Sequence, residues 1–226
     1  MVFDKELLAL GILMNKSHRN FANVLVNDGV VIIVNGDGTL AIRYQDDSVK
    51  GKRMSFPISE FPDGAKSVFA SGNNIIFKIQ KCNVTKTIKI KSSENHFDKL
   101  NELFDKFSEK PTMTIDRTAI ELLDDEVSYF TLIYDKGNVT LKQFHGYTGR
   151  ISLIEVGKNQ ATIDGFFNNE DDRSFEIGTI TDIWKMLFGY FDDLEFCFEP
   201  GLAIYGKGVK GKKIVEFLIS DAKWED

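Results

Sequence analysis

The residues with the means to do chemistry are few and scattered. His18, His96 and His145 stand far apart, with no HxH or HExxH partner, and neither Cys82 nor Cys197 belongs to a CxxC or Cys/His cluster. The usual zinc and redox spacings are therefore missing, and both cysteines are expected as small buried hydrophobes within strands. Carboxylates gather at Asp124, Asp125 and Glu126, at Glu170, Asp171 and Asp172, and at Asp192 and Asp193. Each run falls at a helix end or turn, where solvated acids are the ordinary outcome, so no general acid/base pair is expected. There is no GxxxxGK[ST] phosphate cradle, and Gly206, Gly208 and Gly211 are read as one strand-to-strand turn instead of the entry to a helix. No catalytic residue, metal site or cofactor is predicted. What remains is electrostatic: Lys207, Lys210, Lys212 and Lys213 form a dense basic cluster, which is either a solvated hairpin tip or a contact for a polyanion.

That cluster sits in a recognisable unit. A helix-like run from Thr181 to Tyr190 precedes alternating segments at Leu194 to Phe198 and Leu202 to Tyr205, then the lysine–glycine turn Gly206 to Lys213, then Ile214 to Ile219. A fainter copy lies in the first half. There a helix-like run from Ile58 to Ala70, weakened by Pro62 and Gly64, precedes strands at Asn74 to Gln80 and Thr85 to Lys91, with lysines at 78, 86, 89 and 91. Each half also opens alike. Asp4 to Lys16 reads as a nearly all-apolar helix, followed by strands at Asn23 to Val26, Val30 to Val34, Thr39 to Tyr44 and Met54 to Phe56, with Asn-Asp-Gly and Gly-Asp-Gly marking hairpin turns. Met113 to Ile115 begins the second half as a strand, and Asp116 or Thr118 caps a helix through Ala119 to Leu123. Strands follow at Tyr129 to Asp135, Asn138 to Phe144, Ile151 to Val156, Gln160 to Phe167 and Ser174 to Ile177.

Between the halves, Phe97, Leu100, Leu103, Phe104 and Phe107 recur at spacings of three and four, which predicts an amphipathic connector helix packed on a sheet or docking a partner. The organisation is thus a first module at 1–91, a connector at 92–110 and a second module at 111–226, in an α+β fold of antiparallel sheet with two helices per module. Cations are distributed over all four expected helices. Lys5, Lys16 and Arg19 bracket the first, Lys66 lies in the second, Arg117 starts the third and Lys185 sits in the fourth.

With 226 residues, 42% hydrophobic and 27% charged, the chain has the composition of a globular protein that folds without staples. No apolar run approaches the roughly 18 residues of a membrane span, and the charged N-terminus lacks a signal-peptide cleavage pattern, so an intracellular protein without membrane contact is expected. The net charge of −6 argues against a chain coated in basic side chains for nucleic acid, though not against a local positive face.

Two phrases resemble a known family, the DNA polymerase sliding clamps, and most closely those of T4-type bacteriophages. One is Val156 to Phe166, a hairpin ending in Ile163, Asp164, Gly165 and Phe166 and followed by the acidic run Asn169 to Asp172. The other is Pro200 to Tyr205 continuing into Gly206, Lys207, Gly208, Lys210 and Gly211. The two-module layout and length agree with that family. The resemblance implies a ring-forming clamp fold, a homotrimer whose helices face duplex DNA without reading its sequence and whose sheets join edge to edge. It implies a processivity factor in DNA replication that catalyses nothing, tethers a DNA polymerase and is opened by an ATP-driven clamp loader, in the cytoplasm of a host cell if phage-encoded. On this resemblance the DNA-binding residues are Lys5, Lys16, Arg19, Lys66, Arg117, Lys185, Lys207, Lys210, Lys212 and Lys213. A partner pocket near the last hairpin would involve Pro200, Leu218, Ser220 and Ala222. The helix from Asp4 to Lys16 departs from the pattern, being poor in basic residues for an inner wall. The alternative is a noncatalytic protein-interaction module on the same fold, such as a phage host-takeover factor.

Overall fold

Turns that few residues can make set the first strands. Asp28 and Gly29 both adopt positive φ, 46° and 87°, as in the tight hairpin turns whose twist matches that of the flanking strands. They join β1 (Asn23–Asn27) to β2 (Val30–Val34); β3 (Leu40–Gln45) follows, and β4 (Arg53–Pro57) returns to pair with β1. The computed structural model describes residues 10, 22–36, 38–58, 65–71, 74–81, 84–91, 97–108, 112–135, 138–156, 163–164, 174–199 and 201–221. The chain divides into two compact units, Met1–Phe104 and Asp105–Asp226.

In the first unit the antiparallel order is β3-β2-β1-β4. Register aligns Val24, Ile33, Ile42 and Phe56 on one face and Leu25, Ile32, Arg43 and Ser55 on the other. Every one of these residues is buried. Helix α1 (Phe97–Ser108) meets the second face: Arg43 donates to Asn101 Oδ1 at 3.0 Å, its guanidinium lies 4.9 Å from the Phe104 ring centroid, and Arg53 pairs with Asp98 at 3.1 Å. A buried arginine is tolerable because the hydrogen bond and the ring face replace lost hydration.

The other sheet of this unit runs β5-β6-β7, with β5 at Ala65–Ser71, β6 at Asn74–Lys81 and β7 at Val84–Lys91. Phe77 stands edge-on to Phe56, 5.7 Å between centroids, which packs this sheet on the first. Here the sequence expectation fails, since Ala65–Ser71 is a strand and not the end of a helix. Val68 and Phe69 suit a pleated surface, and the pairing of β5 with residues 74–79 of β6 outweighs the weak helical propensity left after Pro62 and Gly64. Lys66 therefore lies in a strand, at the irregularity between Ala65 and Ser67. The expected helix from Asp4 to Lys16 lies outside the described residues except for Leu10, which is helical and buried.

In the second unit, β8 (Thr112–Met113) leads to the short helix α2 (Arg117–Glu121), capped by Asp116, whose carboxylate accepts from the Thr118 N–H at 2.7 Å. Strands β9 (Tyr129–Asp135), β10 (Asn138–His145), β11 (Arg150–Val156) and β13 (Ser174–Ile180) form a sheet in the order β11-β10-β9-β13. Of the strand expected over Gln160 to Phe167, only Ile163–Asp164, β12, is described. Helix α3 (Thr181–Tyr190) follows, then β14 (Asp193–Glu199), β15 (Ala203–Lys210) and β16 (Lys213–Ser220), in the order β12-β8-β14-β15-β16.

The second correction concerns the lysine–glycine segment. Only Gly211 and Lys212 make the turn, and β15 continues through Gly206 and Gly208 to Lys210. These two glycines are seats for aromatic rings: a Cβ on Gly206 would stand 2.0 Å from Phe217 Cζ, and one on Gly208 would stand 2.6 Å from the Phe191 ring. Glycine in a strand marks close approach of this kind. The rings belong to a cluster centred on Trp184 of α3, which is stacked 4.6 Å from Phe196 and edge-on to Phe130 at 5.5 Å, with its Nε1 donating to Thr179 Oγ1 at 2.8 Å. The opposite face of β14–β16 carries the row Cys197, Tyr205 and Leu218, and Phe107 from the last turn of α1 stacks on Tyr205 at 6.1 Å.

Candidate nucleic-acid interface

Strand alternation separates the basic cluster into two faces. Lys210 lies on the same face as Gly206 and Gly208, beside α3, whereas Lys207 lies on the Tyr205 face. Lys207 is exposed but has Glu195 directly opposite on β14 and Glu216 directly opposite on β16, a cross-strand ladder of alternating sign. Glu216 also accepts from the Tyr205 hydroxyl at 2.7 Å. Much of the charge at Lys207 is thereby answered within the sheet.

On the helix face, two residues assigned to different elements come together. The Arg117 guanidinium, at the first turn of α2, donates to the Phe191 carbonyl at 2.7 Å. One residue on, Asp192 accepts from Lys210 Nζ at 3.1 Å and from the Gly211 N–H at 3.2 Å. The Gly211 N–H, then Lys210, and more distantly Arg117, hold the Asp192 carboxyl below its ordinary pKa. Lys210 also reaches over the Tyr190 ring at 5.7 Å. Arg117 and Lys210 therefore lie near Asp192, Lys212 is exposed in the adjoining turn and Lys213 is aligned with Lys210 across the hairpin. Exposed Asp193 and the cap residue Asp116 add further acids to this corner.

Lys185, on α3, is committed elsewhere. Its ammonium donates to the Leu123 carbonyl at 2.6 Å and pairs with Asp125. The exposed residues of α2 and α3 also include Glu121 and Asp182. The loop between α2 and β9 is held by buried Gln143, whose Oε1 accepts from Asp124 N–H at 2.7 Å and whose Nε2 donates to Asp124 O at 3.1 Å, while Thr181 Oγ1 donates to Val127 O at 2.7 Å. The backbone of this loop is tied to the protein, while Asp125 and Glu126 themselves are exposed.

His145 makes the one Ser/His/Asp grouping found among the described residues, and nothing in the sequence spacing suggested it. Its Nε2 is 2.9 Å from Ser152 Oγ, but its Nδ1 is 3.7 Å from Asp124 Oδ2. That second separation is too long for the hydrogen bond that would fix the imidazole tautomer. The grouping is a polar contact across the β10–β11 pair. His18, His96, Cys82 and the run Glu170 to Asp172 lie outside the described residues, and Cys197 is buried in β14. Among the described residues no cluster of His, Cys, Asp and Glu could hold a metal ion, and no helix is long and apolar enough to cross a membrane.

No protein-family model matches the chain, and no curated protein sequence matches it. Among solved structures it is similar to a DNA polymerase sliding clamp from Pseudomonas aeruginosa crystallised with a ligand, at 13% identity and a TM-score of 0.61 over 91% of this chain. It is likewise similar to the DNA polymerase III subunit beta of that organism, at 12% identity and a TM-score of 0.60 over 91% of this chain. The chain has the sliding-clamp fold. It spans 58% of the length of each of those two chains.

Within this clamp fold, Lys5, Lys16, Arg19, Pro200 and Ala222 lie outside the described residues. Leu218 is buried in β16 opposite Tyr205, and Ser220 ends β16 opposite Ala203. From Ala65 to Lys91 there are six lysines and no acidic residue; of the three whose side chains are described, Lys78 and Lys89 lie on one face of the sheet and Lys86 on the other.

Proposed function

We infer that the chain is a sliding clamp that closes with copies of itself into a ring around duplex DNA and tethers a DNA polymerase, catalysing nothing itself. The observation that carries this reading is the agreement of fold over 91% of the chain with structures of sliding clamps. A ring holds DNA by topology, so diffuse phosphate contacts suffice and a net negative chain can still slide. Arg117, Lys210, Lys212 and Lys213 are the described residues best placed to make such contacts. Lys5, Lys16, Arg19, Lys66, Lys185 and Lys207 are the remaining members of the proposed set, with Lys185 and Lys207 weakened by their acidic neighbours. Two modules, 1–91 and 111–226, joined by the connector at 92–110, make a ring of three copies the fitting assembly, as in T4-type phage clamps, loaded by an ATP-driven clamp loader in the cytoplasm of the host.

Self-association has support in the second unit. Edge strand β11 exposes Ile151 and Leu153, with Phe144 alongside at 60% exposure and Tyr147 in the turn. An apolar edge of this kind is a template for pairing with another chain, and a head-to-tail ring closes such edges. The partner pocket is proposed near Pro200, Leu218, Ser220 and Ala222. One observation favours the rival reading, a noncatalytic protein-interaction module such as a host-takeover factor: Asp125 answers Lys185, and Glu121 and Asp182 share the α2 and α3 surfaces. Light scattering together with processivity on primed circular DNA, with loader and ATP, decides between them. A trimer that lengthens synthesis supports the clamp, and a monomer that leaves synthesis unchanged sinks it.

A further inference from the structure

Two sheets of this chain carry an apolar outer face with a cation in it, and among the described residues only the first is covered. In the first unit Leu25, Ile32, Arg43 and Ser55 lie abreast and buried, and α1 meets them through Asn101 and Phe104. In the second unit the sheet β11-β10-β9-β13 buries Leu132, Val139 and Leu141 on one face. Its opposite face sets Phe144 beside Ile151 and Lys142 beside both Leu153 and Thr131, with Tyr129 two residues from Thr131 on β9. Phe144, Ile151 and Leu153 are 60%, 53% and 61% exposed, and Tyr129 is 37% exposed. Single exposed apolar side chains are ordinary, but a contiguous group of large ones marks a contact surface.

A copy pairing with edge strand β11 does not supply the cover. Strand pairing joins N–H and C=O groups in the plane of the sheet, while side chains stand perpendicular to it, so the row across β9, β10 and β11 stays bare. An extended segment laid on the face is equally unsuitable, because apolar side chains offer its backbone no hydrogen-bond partners. A helix satisfies its own backbone and presents an apolar stripe, as α1 does with buried Phe97 and Phe104. Phe144 to Thr140 runs about 14 Å along β10, which about two to three helical turns span. Charge defines the partner further. Lys142 stands in the middle of the face, and one row on, Thr140 lies between Glu155 and Ile133, with Glu176 beyond Ile133. Rows are about 7 Å apart and helical turns about 5.4 Å, so a carboxylate over Lys142 and a cation one turn away complement this order.

We propose that this face docks an amphipathic helix of another protein, one with an apolar stripe bordered by an acid and a base one turn apart. The docking needs neither DNA nor a ring, so it can fail while the clamp reading stands. The probe is a fluorescein-labelled peptide with the sequence of α1, Phe97–Ser108, stapled on its polar face to hold it helical; it carries such a stripe together with Glu102 and Lys106. Fluorescence anisotropy of the probe is measured against the full chain and against its Phe144→Ser, Leu153→Ser and Lys142→Glu variants. Wild type should bind with a Kd below about 1 mM. Each serine variant should weaken binding at least about fivefold, as loss of a central apolar anchor does. Lys142→Glu should weaken it about threefold, and a probe bearing Glu102→Lys should bind that variant better than wild type. If a serine variant fails to fold by circular dichroism, the charge swap carries the test. Absence of wild-type binding, equal binding by all folded variants, or no preference of the Glu102→Lys probe for Lys142→Glu overturns the proposal. So does a fall in mass by light scattering in the serine variants with probe binding unaltered, which would give the row to a second copy of the chain.

Discussion

Lysine is abundant both in the β5–β7 sheet of the first unit and in β15 and β16 of the second, yet the two regions treat it differently. Lys207 is bracketed by Glu195 and Glu216, and Lys210 is bound to Asp192. Ala65 to Lys91 holds six lysines and no acidic residue, so any carboxylate that meets them comes from another segment. Their interiors contrast as well. In β15 two glycines are emptied of side chain so that Phe217 and Phe191 can lie on the backbone, while β6 packs Ile75 and Phe77 in the ordinary alternating way. The density of lysine in a sequence thus says little about the charge a surface presents; the residues opposite across the ladder decide it.

The largest expected effect tests the interiors. Gly206→Ala places a methyl within the Phe217 ring and should cost about 3 kcal/mol, since a filled core yields only by moving side chains and backbone. Thr87→Ala, exposed on β7, should change stability by less than about 0.5 kcal/mol. Urea denaturation of both variants checks the contrast, and similar small losses would show that the β15 seat is loose. Next comes Lys185, whose ammonium serves the Leu123 carbonyl. Lys185→Ala should cost about 1 kcal/mol, whereas Asp125→Asn, at a mainly exposed partner, should cost less than about 0.5 kcal/mol. If the chain is a clamp, Arg117→Glu should shorten retention on circular DNA in a salt-sensitive way, and Lys185→Glu should do so less, because Asp125 already answers its charge.

A subtler experiment turns one region into the other. Replacing Glu195 and Glu216 by glutamine removes the two acids directly opposite Lys207 and should steepen the salt dependence of duplex binding by about 1. No change would mean that the ladder does not silence Lys207. The smallest effect is one of pH. Asp192 has a lowered folded-state pKa, so its contribution to the hairpin tip is present above its ordinary value of 3.8 and is lost as pH falls through the lower folded value. Amide exchange at Gly211 should therefore be insensitive to this group near neutrality and accelerate in acid below that ordinary value. Asp192→Asn should remove the transition.

Local pattern revealed most of the strands because they obey local rules. Alternation from Tyr129 to Asp135 and from Asn138 to Phe144, the Asp28–Gly29 turn, the Asp116 cap and the 3.6-residue stripe of α1 all depend on neighbours within a few residues. The errors fell where a distant partner outweighs local preference. Ala65–Ser71 becomes a strand by pairing with β6, and Gly206 and Gly208 look like turn residues until the rings of Phe217 and Phe191 are seen against them. The basic corner formed by Arg117 and Lys210 joins residues 93 positions apart, and the contact between His145 and Ser152 depends on a hairpin register; neither leaves a motif in the chain.

What the sequence determined by itself was the position of most strands and of the helices at Phe97–Ser108 and Thr181–Tyr190, the overall acidity and the absence of any known metal or nucleotide motif in its spacing, since each depends on composition or on spacing along one segment. Which carboxylates stand beside Lys185, Lys207 and Lys210 was settled only by tertiary structure, because charge is felt through space over a few ångströms while sequence order records only neighbours along the backbone.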